Sequence, residues 1–462
     1  MKIVVIDDDP TGSQTVHGCP LLLRWDAATL DAGLDHPSPL LFVLANTRAL
    51  APADARARVR QIAAGLAAAL ERARRRGSVD HWLLVSRGDS TLRGHFPLEV
   101  EELDAVLGPF DATLLVPAFL EGGRTTVDGV HRLHGRPVHE SPFARDALFG
   151  YRSSDLPTWV EERSGGRLPA AAVRRLGLAA LEGDGAALRR WLGSLSGNPV
   201  VAVDAERPQH LQALAAAVRD LVAPVSTASA IGVRPRRFLA QSAAGLPAAL
   251  AALPPQPRDA AGLAALRRTA ADGTPLPGLV LVGSHVPLTD AQLERLLADP
   301  GCGGVELPVA RLLRVLDGPL PDRLLASLEA AWLGELEAVL AAGHTPVLFT
   351  SRGEVQGRHA AERRALGLAL AGLMARIGAA LAPRLGYLIS KGGITTHTLL
   401  ADGLGLERVE LQGQLLPGLS LVLAPAPPAA ALPVITFPGN LGEADSLHQA
   451  WAWMERGRPD PL

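Results

Sequence analysis

Cysteine is almost missing from this chain of 462 residues: Cys19 and Cys302 stand far apart and without metal-ligand spacing. A disulfide framework and a paired-cysteine zinc site are thereby excluded, and a reducing compartment, the cytoplasm, is expected. Excess charge is missing too. The formal net charge is −2 and the cations are scattered, so electrostatics give no case for nucleic acid or an anionic membrane as partner. Long hydrophobic runs are absent as well: the apolar start ends at Asp7, too short for a signal peptide, and no uninterrupted stretch reaches the roughly 20 residues of a membrane span. There is no Gly-x-x-x-x-Gly-Lys-Ser/Thr loop, no Gly-x-Gly-x-x-Gly after the first apolar run and no Gly-x-Ser-x-Gly elbow. P-loop, dinucleotide and serine-esterase chemistry lose their usual support.

Lysine is nearly absent, occurring only at positions 2 and 391. Arginine serves wherever a generic cation suffices. Lys391 is therefore marked as a place that wants a compact ammonium with rotatable donors, as phosphate in a crowded backbone loop does.

What is present is an α/β pattern. With 48% hydrophobic residues and a length beyond one ordinary core, the chain is expected to form two well-packed domains. Short apolar runs at 3–6, 40–44, 82–85, 113–116 and 199–203 alternate with Ala/Leu/Arg-rich helical stretches such as 52–75 and 205–222. That alternation predicts a mainly parallel sheet flanked by helices. Proline- and glycine-rich segments at 253–257 and 273–278 suggest a linker over 249–278, between domains at 1–248 and 279–462. Strands are predicted again at 279–282, 347–349 and 387–389, and the Ala/Pro run 424–433 reads as a surface loop.

The chemistry concentrates where these strands end. Trp82-Leu83-Leu84-Val85 runs into Ser86-Arg87-Gly88-Asp89-Ser90-Thr91-Leu92-Arg93-Gly94, which puts acid, hydroxyl and guanidinium groups in one loop. General-base, hydrogen-bonding and anion-pairing chemistry side by side suits a small acidic substrate. Ile3-Val4-Val5-Ile6 likewise breaks into Asp7-Asp8-Asp9-Pro10-Thr11-Gly12-Ser13. Three adjacent carboxylates repel one another unless cations, Mg²⁺ or donors offset them. In open α/β sheets such loops lie at the ligand-binding edge. The plainer alternative is that these acids cap a helix starting near Thr11.

In the second half, Gly283-Ser284, Thr350-Ser351 and Lys391-Gly392-Gly393-Ile394-Thr395-Thr396 each follow a strand with small and hydroxyl residues. Glycine lets backbone amides approach phosphate oxygens, so a nucleotide polyphosphate is the natural occupant. His131, His134 and His139 match no standard zinc spacing and read as solvated or structural.

These residues carry a resemblance. Asp8-Asp9-Pro10-Thr11-Gly12 and Asp89-Ser90-Thr91-Leu92-Arg93-Gly94 resemble the opening and central signatures of the four-carbon acid sugar kinases. Pro117-Ala118-Phe119, Gly123-Arg124-Thr125-Thr126, Val203-Asp204-Ala205, Gly283-Ser284 with Thr289 and Gln292, Pro417-Gly418 and Pro438-Gly439-Asn440-Leu441-Gly442 follow in family order. Ile394 stands where an acidic residue is frequent and Leu441 where Phe is common, as in a divergent branch.

The resemblance implies an amino-terminal domain that binds the acid sugar, a carboxy-terminal domain that binds ATP, and an active site in the cleft between them. Asp8, Asp9, Thr11, Arg87, Ser90, Thr91 and Arg93 would then bind substrate, with Arg93 on its carboxylate and Asp89 as the first choice of catalytic base over Asp8 and Asp9. Ser284, Lys391, Gly392, Gly393, Ile394, Thr395 and Gly439 would bind ATP. ATP and Mg²⁺ are the expected cofactors, the metal ligands stay unassigned, and a homo-oligomer is compatible with the resemblance. The alternatives are a binding or regulatory protein without catalysis and an ATP-dependent ligase that releases AMP.

Overall fold

β-branched and leucine runs followed by polar loops become buried strands throughout a computed structural model of the chain, which describes residues 1–13, 15–224, 234–316, 321–352, 360–425 and 431–458. Two compact units divide after Pro255. In the first, β1 (Lys2–Asp7), β2 (Cys19–Leu22), β3 (Leu40–Leu44), β4 (Trp82–Arg87) and β5 (Ala112–Val116) precede a small antiparallel sheet of β6 (Arg124–Val127), β7 (Val130–Leu133) and β8 (Arg136–Pro137). β9 (Arg174–Leu176), β10 (Val200–Val203) and β11 (Phe238–Ser242) complete it. The large sheet runs β2-β3-β1-β4-β11-β5-β10-β9, and every neighbouring pair in it is parallel.

Strand β1 is buried at every position, as a near-continuous apolar run in a sheet covered on both faces should be. It pairs with β3 on one side (Asp7 opposite Leu44) and with β4 on the other (Asp7 opposite Arg87). The register brings the ends of β3, β1 and β4 level, so the loops at 45–48, 8–13 and 88–94 leave the sheet side by side. The helix Pro52–Arg76, with proline in its first turn, buries Ala55, Val59, Ile62, Ala63, Leu66 and Leu70 at three- and four-residue spacing in the core beneath these strands. Among the described residues no helix begins near Thr11. The acids of that loop are therefore not helix caps.

The second unit has β12 (Gly278–Val282), β13 (Cys302–Leu307), β14 (Thr345–Thr350), β15 (Tyr387–Lys391), β16 (Arg408–Leu416), β17 (Leu419–Leu423) and β18 (Pro433–Phe437). The order is β13-β14-β12-β15-β18-β17-β16, parallel through β18 and antiparallel for the last two pairs. Its antiparallel edge was not foreseen, although Pro417-Gly418 is the turn that joins β16 to β17 and Gly418 has φ +80°.

The stretch expected to be a linker is not a free tether. Gly245–Leu250 is a helix of the first unit, whereas Ala260–Ala264 is a helix of the second, whose Leu263 is wholly buried in that unit's core. Of the run 424–433, residues 426–430 lie outside the described residues, and Pro433 already begins β18.

One helical stretch, Ala365–Arg384, has a mean hydropathy of 1.8 and the length to cross a membrane. Arg376 interrupts it, and Leu370, Leu373, Met374, Ile377 and Leu381 spend its apolar surface on the unit's interior.

Candidate functional site

The ends of β1, β3 and β4 assemble a charged cluster in the first unit. Asp8 accepts from Nε and Nη2 of Arg48 at 2.9 and 2.5 Å, a two-pronged ion pair. The same guanidinium lies 3.4 Å from Asp9 and 3.9 Å from Asp89. Arg87 adds contacts to Asp7 at 3.5 Å and Asp8 at 3.3 Å. Arg93 donates from Nε to Asp89 at 2.7 Å, while its guanidinium stacks over Phe143. Thr11 donates to Asp9 from its backbone N–H at 2.8 Å and from its hydroxyl, and the Thr91 hydroxyl donates to Asp89. Every acid-binding residue named from the sequence except Ser90 thus joins one network by side-chain contact. Ser90 sits in the same loop and enters through its backbone carbonyl, which His131 holds.

The mutual repulsion of these acids is compensated unevenly, and this sets their protonation. Burial alone would raise Asp89, but Arg48, Arg93 and the Thr91 hydroxyl outweigh it and hold the carboxyl below the usual range. Burial would raise Asp9 as well, yet Arg48 and Thr11 win and lower it. Asp7, 1% exposed, goes the other way: burial pushes it up to about 7, with Asp8 and Asp9 adding to the rise and Arg87 opposing it. Glu99, bonded by the Thr47 hydroxyl, is also raised, by burial and by the neighbouring Asp8. Asp89 and Asp9 are consequently firm anions, and Asp7 carries a proton to near neutral pH.

Asp8, Asp89 and Arg93 open onto a narrow cleft whose wall also includes Glu99, Trp159 and Gln241. The cleft pairs a guanidinium with carboxylates over an apolar floor of Leu92, Phe96 and Leu115. Such a site can hold a small hydroxy acid by its carboxylate and orient a hydroxyl against an anion. Arg48 was missed from the sequence. The only signal was its place four residues past an apolar run, in a loop without acids or glycines. Among the described residues no three His, Cys, Asp or Glu side chains converge as a metal cage, and the acidic oxygens are already engaged by arginines. The cluster does not fit a resident metal ion. His131 is buried between protein partners while His134 and His139 are exposed, a structural and solvated set as expected.

The second unit gathers its loops at the ends of four adjacent parallel strands, β14, β12, β15 and β18. Thr289 bridges them, its hydroxyl donating to the Gly439 carbonyl at 3.1 Å and pairing with the Ser284 hydroxyl at 3.0 Å. A Cβ on Gly439 would lie 2.5 Å from Ser284 Oγ, so only glycine allows that approach. Gly392, at φ +119° and beside the Ser284 amide, turns the chain from β15 into the helical turn that begins at Gly393. Thr395 packs against Gly283. Ser284, Gly392, Gly393, Thr395 and Gly439 are therefore brought together, whereas Ile394 is 39% exposed and its side chain stands apart.

Lys391 is fully buried. Its ammonium donates to the carbonyls of Pro438 at 3.0 Å and Gly439 at 3.4 Å and sits 3.8 Å over the Phe437 ring. Burial, then the charge of Arg352, lowers its pKa to about 7. Gln292 ties down the same loop through the carbonyls of Leu441 and Glu443.

Comparison with known proteins follows the same division. Residues 3–250 match a family described as a sugar-binding N-terminal domain, and residues 279–447 match a nucleotide-binding C-terminal domain. A D-threonate kinase of Bordetella bronchiseptica is 29% identical over 89% of this chain and 85% of its own length. One from Cupriavidus necator is 28% identical over 99% of both chains. A D-erythronate kinase of Heliobacterium modesticaldum is 27% identical over 46% of this chain and 47% of its own. In fold, the chain resembles crystal structures of proteins from Salmonella typhimurium LT2 (TM-score 0.63, 19% identity, 97% of this chain and 98% of that one) and Haemophilus influenzae (TM-score 0.60, 17% identity, 98% and 100%).

Proposed function

The chain belongs to the four-carbon acid sugar kinase family, and from that premise we propose that it transfers the γ-phosphoryl group of ATP to the terminal hydroxyl of a threonate, erythronate or 3-oxo-tetronate. The observation that carries the reading is the cleft of the first unit, where Arg93 and Asp89, 2.7 Å apart, face one small volume. The guanidinium pairs the acid's carboxylate. Asp89 orients the hydroxyl and takes its proton as the bond to phosphorus forms. A weak base is adequate there, because the loose transition state of phosphoryl transfer demands little activation of the nucleophile. Asp8 and Asp9, held by Arg48 and Thr11, fix the wall against which the sugar hydroxyls lie.

The second unit takes ATP. The amide of Gly393, the Ser284 and Thr395 hydroxyls and the neighbouring Gly439 turn offer donors to phosphate oxygens, while the Gly392 amide is spent on the Phe437 carbonyl and Gly392 serves by its turn. Lys391 braces that turn from beneath and, once protonated, supplies the positive charge that phosphate draws. Mg²⁺ would accompany the triphosphate as its counter-ion; among the described residues no group of His, Cys, Asp and Glu side chains forms a cage for it. The purified protein, given ATP, Mg²⁺ and each acid in turn, should release ADP with one acid only. Release of AMP would indicate a ligase. Acid binding without turnover would indicate a regulatory protein.

A further inference from the structure

The central loop 89–94 is held from outside as well as by its own bonds to Asp89. Leu92, a non-glycine residue, sits at φ +66°, a conformation that persists only when the surroundings impose it. Three side chains from one later segment grip three carbonyls of this loop. His131 Nε2 donates to Ser90 O at 2.8 Å, Tyr151 donates from its hydroxyl to Thr91 O at 2.6 Å, and Arg163 donates to Gly94 O at 3.0 Å. A carbonyl can only accept, so the His131 proton is on Nε2 and its Nδ1 accepts from the Thr126 hydroxyl at 2.9 Å. Burial lowers the His131 pKa to about 4, which keeps the ring neutral near physiological pH.

The gripping segment is itself anchored. Asp204, just past β10, accepts from the amides of Asp128 and Gly129 at 2.9 Å each, at the tip between β6 and β7. Thr126 and Ala205 exchange backbone hydrogen bonds of 2.9 Å in both directions. Leu156, the first residue of the helix Leu156–Arg163, donates to Gly129 O at 2.8 Å. The strand pair and this helix thus form one body fixed to the main sheet. The Gly123-to-Thr126 and Val203-to-Ala205 motifs, which have no role in binding described so far, are its foundations.

We propose that the hairpin 124–133, the helix 156–163 and Tyr151 on the segment between them form a clamp that holds the 89–94 loop in its binding shape, with His131, Tyr151 and Arg163 as positioning residues. The proposal rests on reading that loop as the acid-sugar site. The clamp fixes where Asp89 and Arg93 stand without touching the substrate. Losing one grip frees the loop and weakens the acid, not the nucleotide.

The test uses the full chain and the variants Tyr151→Phe, His131→Phe and His131→Gln, the last keeping a donor at the Nε2 position. Hydrogen exchange of the 89–94 amides should quicken about 3- to 10-fold in Tyr151→Phe and His131→Phe, the worth of one hydrogen bond. Exchange in β1 and β3 should stay as in the wild type. With D-threonate and D-erythronate as probes, the KM of the acid should rise by a similar factor while that for ATP stays within twofold. His131→Gln should restore both. Unchanged exchange in 89–94, an increase spread evenly over the first unit, or His131→Gln as impaired as His131→Phe would overturn the clamp. Arg93→Ala separates the two ideas: if it leaves the acid KM alone, the acid-site reading fails, and the exchange data still judge the clamp.

Discussion

Replacing Arg48 with methionine removes the cation that reaches Asp8, Asp9 and Asp89 together, while keeping most of the apolar stem. The side chain is 19% exposed and Asp8 only 3%, so the change strands a buried carboxylate instead of trimming a surface pair. Removing one partner of a buried ion pair costs about 3–5 kcal/mol. Arg87 stays 3.3 Å from Asp8 and supplies part of the lost compensation, so a value near the lower end, about 3 kcal/mol, is expected at pH 8.

For a unit of this size that is a fall of about 6–12 °C in melting temperature. The pH dependence has a definite sign. Asp9 and Asp89 have folded-state pKa values below their unfolded ones, so they contribute stability above about pH 4 that is lost as pH falls through the folded values. Without Arg48 that contribution shrinks. The deficit of Arg48→Met should therefore be largest at pH 7–8 and narrow toward pH 4. Thermal and urea melts at pH 8, 6 and 4.5 measure it, and Arg48→Met/Asp8→Asn should recover about 1–2 kcal/mol by removing the stranded charge. A deficit under about 1 kcal/mol at pH 8, or one that grows as pH falls, would refute the account of the cluster.

Arg93→Ala should raise the KM of the acid about 10- to 100-fold, the worth of a charged hydrogen bond, and leave the ATP KM within threefold; equal effects on both would sink its assignment. Lys391 is neutral in the fold above about pH 7, so binding triphosphate there requires taking up a proton. The wild-type ATP KM should climb with pH between 7 and 9, by up to about tenfold per unit, and Lys391→Met should be flat over the same range. A flat wild-type profile removes Lys391 from phosphate binding. Asp7, raised to about 7 by burial, keeps its proton in the fold between about pH 4 and 7, so wild-type stability declines as pH rises through that window. Asp7→Asn does not titrate and should gain on the wild type by up to about 1.4 kcal/mol per pH unit there, levelling off above pH 7 in melts.

The strands and the polar loops that end them were legible because both are local. Val4-Val5-Ile6 into three acids and Leu84-Val85 into Arg87, Gly88 and Asp89 declare a buried extended run and the point where it must stop. The short β2 and β9 were less visible, since strands of four and three residues show little period, whereas the antiparallel pair of nine-residue β16 and five-residue β17 was passed over although Val409, Leu411 and Leu415 alternate with polar neighbours in β16. The π-helical residues 399–403 left no local signal either.

By itself the sequence determined which segments are buried strands, which loops carry charge or glycine, and hence a carboxylate-and-guanidinium site in the first half and an amide-rich one in the second. Tertiary structure alone decided which loops meet. Strand β1 pairs with β3 and β4 but not with β2, and that choice sets Arg48 among the acids at 8, 9 and 89 and fixes which of them stay anionic. His131 reaches Ser90 across 41 residues for the same reason. Strand order and loop grips depend on how remote apolar faces pack together, and no local pattern of residues encodes that energy.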